Sequence, residues 1–418
     1  MMKKNKFGKY NLSLFFMGKG VSVIGSSIYN FAVGLYVLKL TGSALNYGIT
    51  LMLSILPLIL ISPFGGVIAD RFNKKIIVVS MDIINGLLFI AIYLLTEKMN
   101  FSLGLVYLTT ILLNSFGTLF AISIEAAKPN LVKEDRLIKI NAYSKLIDSI
   151  SSVLGPIVGG IIYALFDIRA FVLFNGISFL ISALSESFMD FNYYTKESHV
   201  KINTSFRNDF KEGIHYFFKN KAIVEYFFIF ATLNFLLGFS VNVPAPYLIN
   251  EVFKLSSAQF GLINGLFPVG LIIGSLTIES LLKKFTYKKV LLSMNLFLAI
   301  LAGMIGLPYQ VLTSSVQLTI FYGLNFCLMG LAIAYVDVPI TTLLQQEVPS
   351  HLLGRVMSIL MSLVKVVLPI ALVVSGAAIS VMPIKLIPII GALASAGFTL
   401  YLMNKEHQLN KLNFENIE

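Results

Sequence analysis

The chain contains 418 residues, of which 56% are hydrophobic and 13% are charged, and its formal net charge is +11. A soluble chain needs about 25% charged residues to cover its surface, so the composition excludes a soluble multidomain enzyme. The basic residues occupy short gaps between apolar runs, where they indicate orientation in a membrane rather than binding to nucleic acid. The single cysteine, Cys327, excludes an intramolecular disulfide and a cysteine-based metal site.

Apolar runs, taken in chain order, predict an all-α membrane protein. A spanning helix needs roughly 20 apolar residues, and about twelve runs meet that criterion, at 12–38, 46–68, 76–96, 102–125, 139–164, 169–190, 221–247, 258–281, 288–308, 315–338, 352–380 and 385–403. The basic start of the chain precedes the first run without an obvious cleavage site, so we interpret this run as an uncleaved span. A longer polar connection, 191–220, predicts two pseudo-symmetric six-helix bundles, 1–190 and 221–418, that are joined by a cytoplasmic linker.

Lysine and arginine residues cluster at one set of helix ends, which includes the N-terminus and the linker. The opposite ends carry only Lys39, Lys98, Arg169, Lys254 and Lys385. Because basic residues are retained in cytoplasmic loops, this asymmetry places both termini in the cytoplasm and predicts a multi-pass protein of the plasma membrane. Within the linker, residues 206–217 place apolar side chains on one helical face, which predicts an interfacial helix on the inner leaflet. A short solvated connector is the alternative.

Two segments at equivalent places in the predicted halves resemble each other. Residues 130–156 align with residues 346–369, so that Lys139 pairs with Arg355. Transporters often carry such internal repeats. A duplicated helical unit fits two bundles that rock about a central site, whereas a channel or a membrane enzyme has no particular need of it.

The loop after the second run, GGVIADRFNKK, resembles the loop motif of the major facilitator superfamily. The matching residues are Gly66, Asp70, Arg71, Lys74 and Lys75. Asn73 stands where the family usually has a second glycine, and asparagine tolerates the left-handed backbone that glycine would supply. The resemblance implies the fold of the superfamily, and it implies that Asp70 faces the start of the eleventh span during the conformational cycle.

The fifth run contains LGPIVGG, which resembles the motif associated with exporters of this superfamily. The matching residues are Gly155, Pro156, Gly159 and Gly160. Proline removes a backbone donor and kinks the helix, and glycines let another helix approach closely. The motif favours export, and ordinary glycine-mediated packing is the alternative.

Residues 129–144 and 339–358 together resemble the macrolide-efflux branch of the drug:proton antiporters. The resemblance implies proton-coupled export of lipophilic or amphipathic small molecules, such as macrolide-like drugs, by a monomer in the lipid bilayer that uses no cofactor. A basic residue typical of the fourth span in related antiporters is absent, and Asn114 and Thr118 stand in that span instead. This departure puts the usual proton route in question.

Ionisable groups inside the predicted spans are functional candidates by default. Lys19, Asp148 and Lys365 lie deepest, and the first two each lie about two turns from the cytoplasmic end of their span. We predict an ion pair between Lys19 and Asp148 that takes part in coupling. A static pair, or attraction of an anionic substrate by Lys19, is the alternative. Polar stripes add the candidates Asn30, Asn114, Glu125, Asn234, Asn242 and Asn325, with Tyr322 beside the last. Acids nearer the span ends, such as Asp82 and Glu186, are equally well explained as interfacial groups.

Other functions stay open at this point. An exporter of a siderophore or a lipid on the same fold is the nearest alternative. A non-transporting membrane sensor or assembly factor is more distant, because a sensor needs no alternating access. An enzyme is least favoured, since the sequence has no nucleotide-binding loop, HExxH-type metal site or extramembrane catalytic domain.

Overall fold

The computed structural model describes residues 2–98, 102–194, 214–285, 287–310 and 314–404. The first six main helices are α1 (Met2–Thr41), α2 (Ala44–Arg71), α3 (Lys74–Lys98), α4 (Leu103–Leu131), α5 (Leu137–Leu165) and α6 (Ile168–Ser187). The next six are α7 (Lys221–Leu236), α8 (Ser257–Leu282), α9 (Tyr287–Met304), α10 (Ser315–Glu347), α11 (Ser350–Val381) and α12 (Leu386–Asn404). Most of the predicted amphipathic helix, 206–217, falls outside the described residues, although residues 214–219 are helical.

The chain after α7 departs from regular α-helix. It forms a π-helix, Leu237–Asn242, then a single α-helical turn, Pro244–Tyr247, and then a second π-helix, Leu248–Val252. Pro244 and Pro246 lie in this stretch. Each proline lacks an N–H donor and its ring crowds the carbonyl one turn back, so wider helical turns accommodate the pair.

Ten helices of the described residues are long and apolar enough to span a membrane, from Tyr10–Thr41 to Ser362–Val381. Each of them coincides with a predicted run. The ninth and twelfth predicted runs coincide with shorter apolar helices, Lys289–Met304 and Leu386–Tyr401. The all-helical, multi-pass membrane class is therefore confirmed, and the exact number of spans stays a prediction.

Backbone contacts divide the chain into two compact units. Unit 1 consists of Met1–Gly42, Leu53–Val200 and Ser256–Gly265, and unit 2 consists of Ser43–Met52, Lys201–Leu255 and Leu266–Glu418. The unit boundaries therefore fall inside α2 and α8 as well as in the linker. The domain limits at residues 190 and 221 were predicted from the polar connection in the sequence, and they stay a prediction.

In unit 1, α1 packs against α5 and α6, while α3 packs against α6 and α4. An aromatic cluster joins three of these helices, with the Phe89 ring 4.7 Å from the Tyr29 ring and 5.9 Å from the Phe179 ring. All three side chains are buried. Because lipid tails are as apolar as the side chains, close packing of this kind holds membrane helices together.

In unit 2, α7 packs against α11, and α9 packs against α12 and α10. The π-helix Leu237–Asn242 adds contacts with α11 and α12. These neighbours repeat those of unit 1 with an offset of six helices, since α1 contacts α5 and α3 contacts α6 and α4 there. The aligned segments 130–156 and 346–369 contain the starts of α5 and α11, which are equivalent in this pattern.

The turn between α2 and α3 differs from the expected left-handed conformation at Asn73. Among the described residues, Lys254 is the only non-glycine residue with a positive φ, at 53°. The Asn73 Oδ1 atom instead accepts hydrogen bonds from the backbone N–H groups of Lys75 at 2.9 Å and Ile76 at 3.4 Å. The asparagine therefore caps α3, a position that its short acceptor side chain favours.

Candidate functional site

Lys19 lies at the centre of a charged cluster in unit 1. Its ammonium nitrogen is 3.0 Å from Asp148 Oδ1 and 3.7 Å from Glu125 Oε1. It also donates a hydrogen bond to Ser144 Oγ at 2.5 Å. Because Ser144 and Asp148 lie one turn apart on α5, they share the helix face that packs against α1. The predicted contact between Lys19 and Asp148 is confirmed.

Glu125 connects this pair to a second lysine. Its Oε2 atom is 2.5 Å from Lys128 Nζ, one turn further along α4, and its Oε1 atom accepts a hydrogen bond from Ser144 Oγ at 3.1 Å. The two lysine side chains are 8% and 5% exposed, whereas Glu125 and Asp148 are 52% and 47% exposed. Buried cations are therefore neutralised by carboxylates that face open space.

A cavity of about 690 Å³ opens beside the cluster and is lined by α1 to α6. Its charged lining residues are Lys19, Lys128, Lys145, Asp82, Glu125 and Asp148. Apolar side chains such as Leu58, Leu113 and Phe120 form much of the remaining wall. A charged group at the centre of a spanning helix costs about 2.5–3.5 kcal/mol on insertion scales. A polar cavity with paired charges lowers that cost, so this arrangement is a candidate site for a small molecule or a proton.

Five of the predicted candidates line this one cavity, namely Lys19, Asn30, Asn114, Glu125 and Asp148. Asn30 is exposed to the cavity, whereas Asn114 Nδ2 donates a hydrogen bond to Thr110 O at 2.8 Å on its own helix. Residues three or four apart share one face of a helix. Polar stripes with that spacing therefore predicted that Lys19 shares a face of α1 with Asn30, and that Asn114 shares a face of α4 with Glu125.

The other four candidates, Asn234, Asn242, Asn325 and Lys365, belong to unit 2. Asn325 is buried, and its Nδ2 atom donates a hydrogen bond to Leu301 O on α9 at 3.0 Å. The hydroxyl of Tyr322 likewise donates to Ile305 O at 2.8 Å. Both side chains hold α10 against α9, a packing role that the sequence did not predict.

Asn234 and Lys365 have simpler surroundings. Asn234 Nδ2 donates a hydrogen bond to Phe230 O at 2.9 Å, one turn back on α7. Lys365 is exposed on α11 and forms no ion pair with any described residue. Asn242 ends the first π-helix and is half-buried.

The residues of the loop motif flank the turn between α2 and α3. Lys75 Nζ donates a hydrogen bond to Met189 O at 3.0 Å, just beyond the C-terminal end of α6. Free carbonyl groups at that end attract a cation. Arg71 is exposed, and the side chain of Asp70 lies outside what the structure describes. A side-chain carbon added at Gly66 would meet nothing within 4 Å.

The glycines of the exporter-type motif sit at close helix contacts within unit 1. A side-chain carbon added to Gly155 would overlap Ser27 on α1, and one added to Gly159 would lie against the next turn of α1. Gly160 faces the first turns of α8 instead, where an added carbon would overlap the Ser257 carbonyl. These contacts give the glycines a packing role. That role is compatible with an exporter motif and with ordinary glycine-mediated packing.

Three cavity residues were missed as site candidates. Lys128 belongs to the basic residues that cluster at the predicted cytoplasmic helix ends, and its position three residues after Glu125 is also a helical ion-pair spacing. Ser144 links Lys19 to Glu125, and serine carries no sequence signal for such a bridge. Lys145 lines the cavity as well, and it is another basic residue of the predicted cytoplasmic set.

A family model described as the Major Facilitator Superfamily matches residues 15–367 and 227–415 of the chain. The chain belongs to this superfamily. It is therefore a membrane-embedded transporter of small-molecule substrates, and no catalytic activity is indicated.

Curated superfamily relatives include proteins of two substrate classes. The chain is 24% identical over 377 residues to "Macrolide efflux protein A" of Streptococcus pyogenes, covering 90% of this chain and 91% of that protein. It is 23% identical over 352 residues to "Enterobactin exporter EntS" of Escherichia coli, covering 82% of this chain and 78% of that protein. The predicted resemblance to the macrolide-efflux branch is confirmed by the first of these relatives.

Solved structures of superfamily members have the same fold. A bacterial homologue of the iron transporter ferroportin in an inward-facing state matches with a TM-score of 0.69 at 17% identity, covering 94% of this chain and 98% of that one. The nucleoside transporter NupG matches with a TM-score of 0.75 at 12% identity, again covering 94% and 98%. At these identities the likeness concerns the fold alone.

Proposed function

We propose that this protein exports lipophilic or amphipathic small molecules, with macrolide-like drugs as the leading class, in exchange for protons and by alternating access. The observation that carries the proposal is the cluster of Lys19, Asp148, Glu125 and Lys128 on the wall of the cavity in unit 1. Two half-exposed carboxylates there hold two buried lysines. Protonation of Asp148 would break its pair with Lys19 and change the charge of the cavity, which could bias one conformational state against another.

The apolar surroundings of the cluster support a lipophilic substrate. Besides the charged cavity, a second cavity of about 550 Å³ lies along α1, α5 and α6 and is lined mainly by apolar residues such as Phe16, Met17, Val21 and Phe174. Phe16 and Met17 are exposed, which makes this surface accessible from the lipid. Ligand sites are usually apolar with a few precisely placed polar groups, and the two cavities together offer that combination.

Siderophore export is the second candidate function. It is favoured by the relatives named "Enterobactin exporter EntS" and "Staphyloferrin A transporter", the latter of Staphylococcus aureus and 24% identical over 285 residues. The buried ammonium groups of Lys19 and Lys128 would attract an anionic substrate once their carboxylate partners were protonated. Export of a macrolide does not require attraction by a buried ammonium group. The dependence of export on these two lysines can therefore separate the two substrate classes.

Reconstituted protein would test both functions. Proteoliposomes loaded with a pH-sensitive dye should show proton movement across the membrane when a transported macrolide is added, and a catecholate siderophore should produce no response. A response to the siderophore alone would favour the second candidate. Absence of proton movement for every transported compound would reject proton coupling.

The proposed orientation has both termini in the cytoplasm, with twelve spans in the plasma membrane. We expect a cysteine at Lys98 or Lys254 to react with an impermeant thiol reagent applied to intact cells, in a background in which Cys327 is replaced by serine. Lys254 is exposed in the structure. A cysteine at Phe72, which is 63% exposed in the α2–α3 turn, is the matched control and should react only after permeabilisation. Labelling of position 98 or 254 from the cytoplasm alone would contradict the orientation.

We further propose that Asp70 acts in the conformational cycle rather than in substrate binding. Its place at the end of α2 is far from the midplane where such transporters bind substrate. The variant Asp70→Asn should slow transport at least tenfold while the substrate dissociation constant stays within a factor of two, roughly the effects of 1.4 and 0.4 kcal/mol. Asp135→Asn, an exposed acid in the α4–α5 connection, should change neither. Loss of binding in a folded Asp70→Asn protein would refute the assignment.

A further inference from the structure

Two acidic residues of unit 1 take no part in the ion pairs of the Lys19 cluster. Asp82 on α3 and Glu186 on α6 are each only 1% exposed, and their carboxyl groups interact electrostatically. Both lie inside helices that are apolar enough to span a membrane. Such burial does not fit a side chain that snorkels to water, one of the explanations open from the sequence.

No basic side chain of the described residues forms an ion pair with either acid. Besides the two acids, the charged side chains that the structure describes on α3, on α6 and on the helices packed against them are Lys19, Lys39, Lys74, Lys75, Glu125, Lys128 and Arg169. Lys39 and Lys74 lie at helix ends. Lys19 and Lys128 are engaged by Asp148 and Glu125. Lys75 donates to Met189 O, and the Arg169 guanidinium lies over the Tyr93 ring at 5.2 Å. Two buried carboxylates without a cation repel each other and lack solvation.

Hydrogen-bond counting at Ser182 points to a proton on the pair. Ser182 Oγ lies 2.9 Å from the carbonyl oxygen of Gly18 and 3.2 Å from Glu186 Oε1. A serine hydroxyl has one hydrogen to donate. It cannot satisfy a carbonyl and an ionised carboxylate together. If Glu186 is protonated, its O–H donates to Ser182 Oγ, and Ser182 then donates to the Gly18 carbonyl.

Unpartnered polar atoms mark the route by which a proton reaches the pair. Asp82 lines the 690 Å³ cavity, and its Oδ2 atom has no hydrogen-bond partner among the described residues. Asn85, one turn further along the same face of α3, is fully buried with both its Oδ1 and Nδ2 atoms unpartnered. Buried polar atoms are normally satisfied by protein or by water. The amide beside Asp82 is therefore a second, independent indication of water or a proton at this place.

We propose that Glu186 is a proton-binding residue whose proton exchanges with the cavity through Asp82. A proton from cavity water binds the Asp82 carboxylate and passes to Glu186, and it leaves by the reverse path, so that the charge of the pair changes by one. With the proton bound, Ser182 stays on the Gly18 carbonyl, one residue before Lys19. Loss of the proton leaves a carboxylate that competes with Gly18 for the Ser182 hydrogen. The proton thus fastens α6 to α1 beside the Lys19 cluster.

This site goes beyond the proposed function, because proton binding is measured in the purified protein without any substrate. Infrared difference spectra of the full chain in lipid nanodiscs, recorded between neutral and alkaline pH, detect the C=O stretch of a protonated carboxyl group. The wild type should show such a band at neutral pH. The variant Glu186→Gln should lack it. The control Glu279→Gln, which alters an exposed acid of α8 that is paired with Lys283, should retain it.

A second variant keeps the test decisive if Glu186→Gln does not fold. Ser182→Ala removes the acceptor of the proposed Glu186 O–H bond, so the band should persist with a changed frequency. An unchanged band frequency in Ser182→Ala would overturn the proposal. So would a wild type without the band at neutral pH, or a folded Glu186→Gln protein that keeps it.

Discussion

The variant Lys19→Met should reduce proton-coupled export at least tenfold, because it leaves the Asp148 carboxylate without its ion-pair partner. Lys19 is the ion-pair partner of Asp148 at 3.0 Å, and the structure gives Asp148 no other basic partner among the described residues. Glu125 keeps Lys128 when Lys19 is removed. Asp148 is half-exposed to the cavity, so leaving it unpaired costs less than the roughly 2.5–3.5 kcal/mol of a charge at the centre of a spanning helix; a tenfold loss corresponds to about 1.4 kcal/mol.

The double variant Lys19→Met, Asp148→Leu separates a coupling role from a static one. It removes both charges, so the protein should fold and insert as the wild type does. If the pair couples export to protons, the double variant should lose the pH dependence of export measured in inverted vesicles. Retention of full, pH-dependent export would show that the pair only holds α1 against α5.

A matched control separates these effects from the loss of any lysine in the membrane. Lys365→Met also removes a lysine from a predicted span, but Lys365 is exposed and has no ion-pair partner among the described residues. Export by this variant should stay within a factor of two of the wild type. A tenfold loss would instead return Lys365 to the candidate site.

The sequence predicted the membrane class and the helices from local properties, and it predicted the first ion pair with the help of a resembled fold. Apolar length and helical spacing are local properties, and Lys19 and Asp148 could be paired because both lie at a similar depth in helices of a resembled fold. The link from Glu125 to Lys128 is also local, since three residues separate them, but a lysine near a helix end is equally typical of a topology signal. A buried lysine is distinguished from a solvated one by tertiary packing, which spacing does not report.

The predictions for Asn325 and Asn73 show a different limit. A polar residue on a helix stripe can face a cavity or satisfy a neighbouring backbone, and the choice depends on which helix lies beside it. Asn325 donates to Leu301 O on α9, and the sequence contains no sign of that partner. Asn73 was expected to supply a left-handed residue, yet its side chain caps α3. Both uses satisfy backbone groups that would otherwise lack a partner.

The largest effect on stability is expected where α8 crosses α10 in unit 2. A side-chain carbon at Gly270 would overlap the carbonyl oxygen of Cys327, and one at Gly330 would overlap that of Phe267. The two glycines therefore make reciprocal contacts, each against the backbone of the other helix. Backbone atoms cannot rotate away as a side chain can, so any substitution here must separate the helices.

We expect Gly270→Ala and Gly330→Ala each to destabilise the protein by about 1–3 kcal/mol, the usual cost of overpacking. Thermal unfolding in detergent, followed with a thiol-reactive dye, checks this. The protein has one cysteine, Cys327, which is half-buried on α10, so an increase in dye reaction reports on unfolding around this helix.

Gly397→Ala on α12 is the matched control, because an added carbon there would meet nothing within 4 Å. Alanine is favoured over glycine inside a helix by roughly 0.5–1 kcal/mol, so this variant should unfold at the same temperature as the wild type or slightly higher. Opposite signs for the same chemical change would show that close helix approach, rather than helix propensity, decides the result. Equal stability of all three variants would mean that the α8–α10 crossing does not need glycine. Since α10 is also held by Tyr322 and Asn325 against α9, a loosened crossing should leave that second contact intact and lower stability without preventing folding.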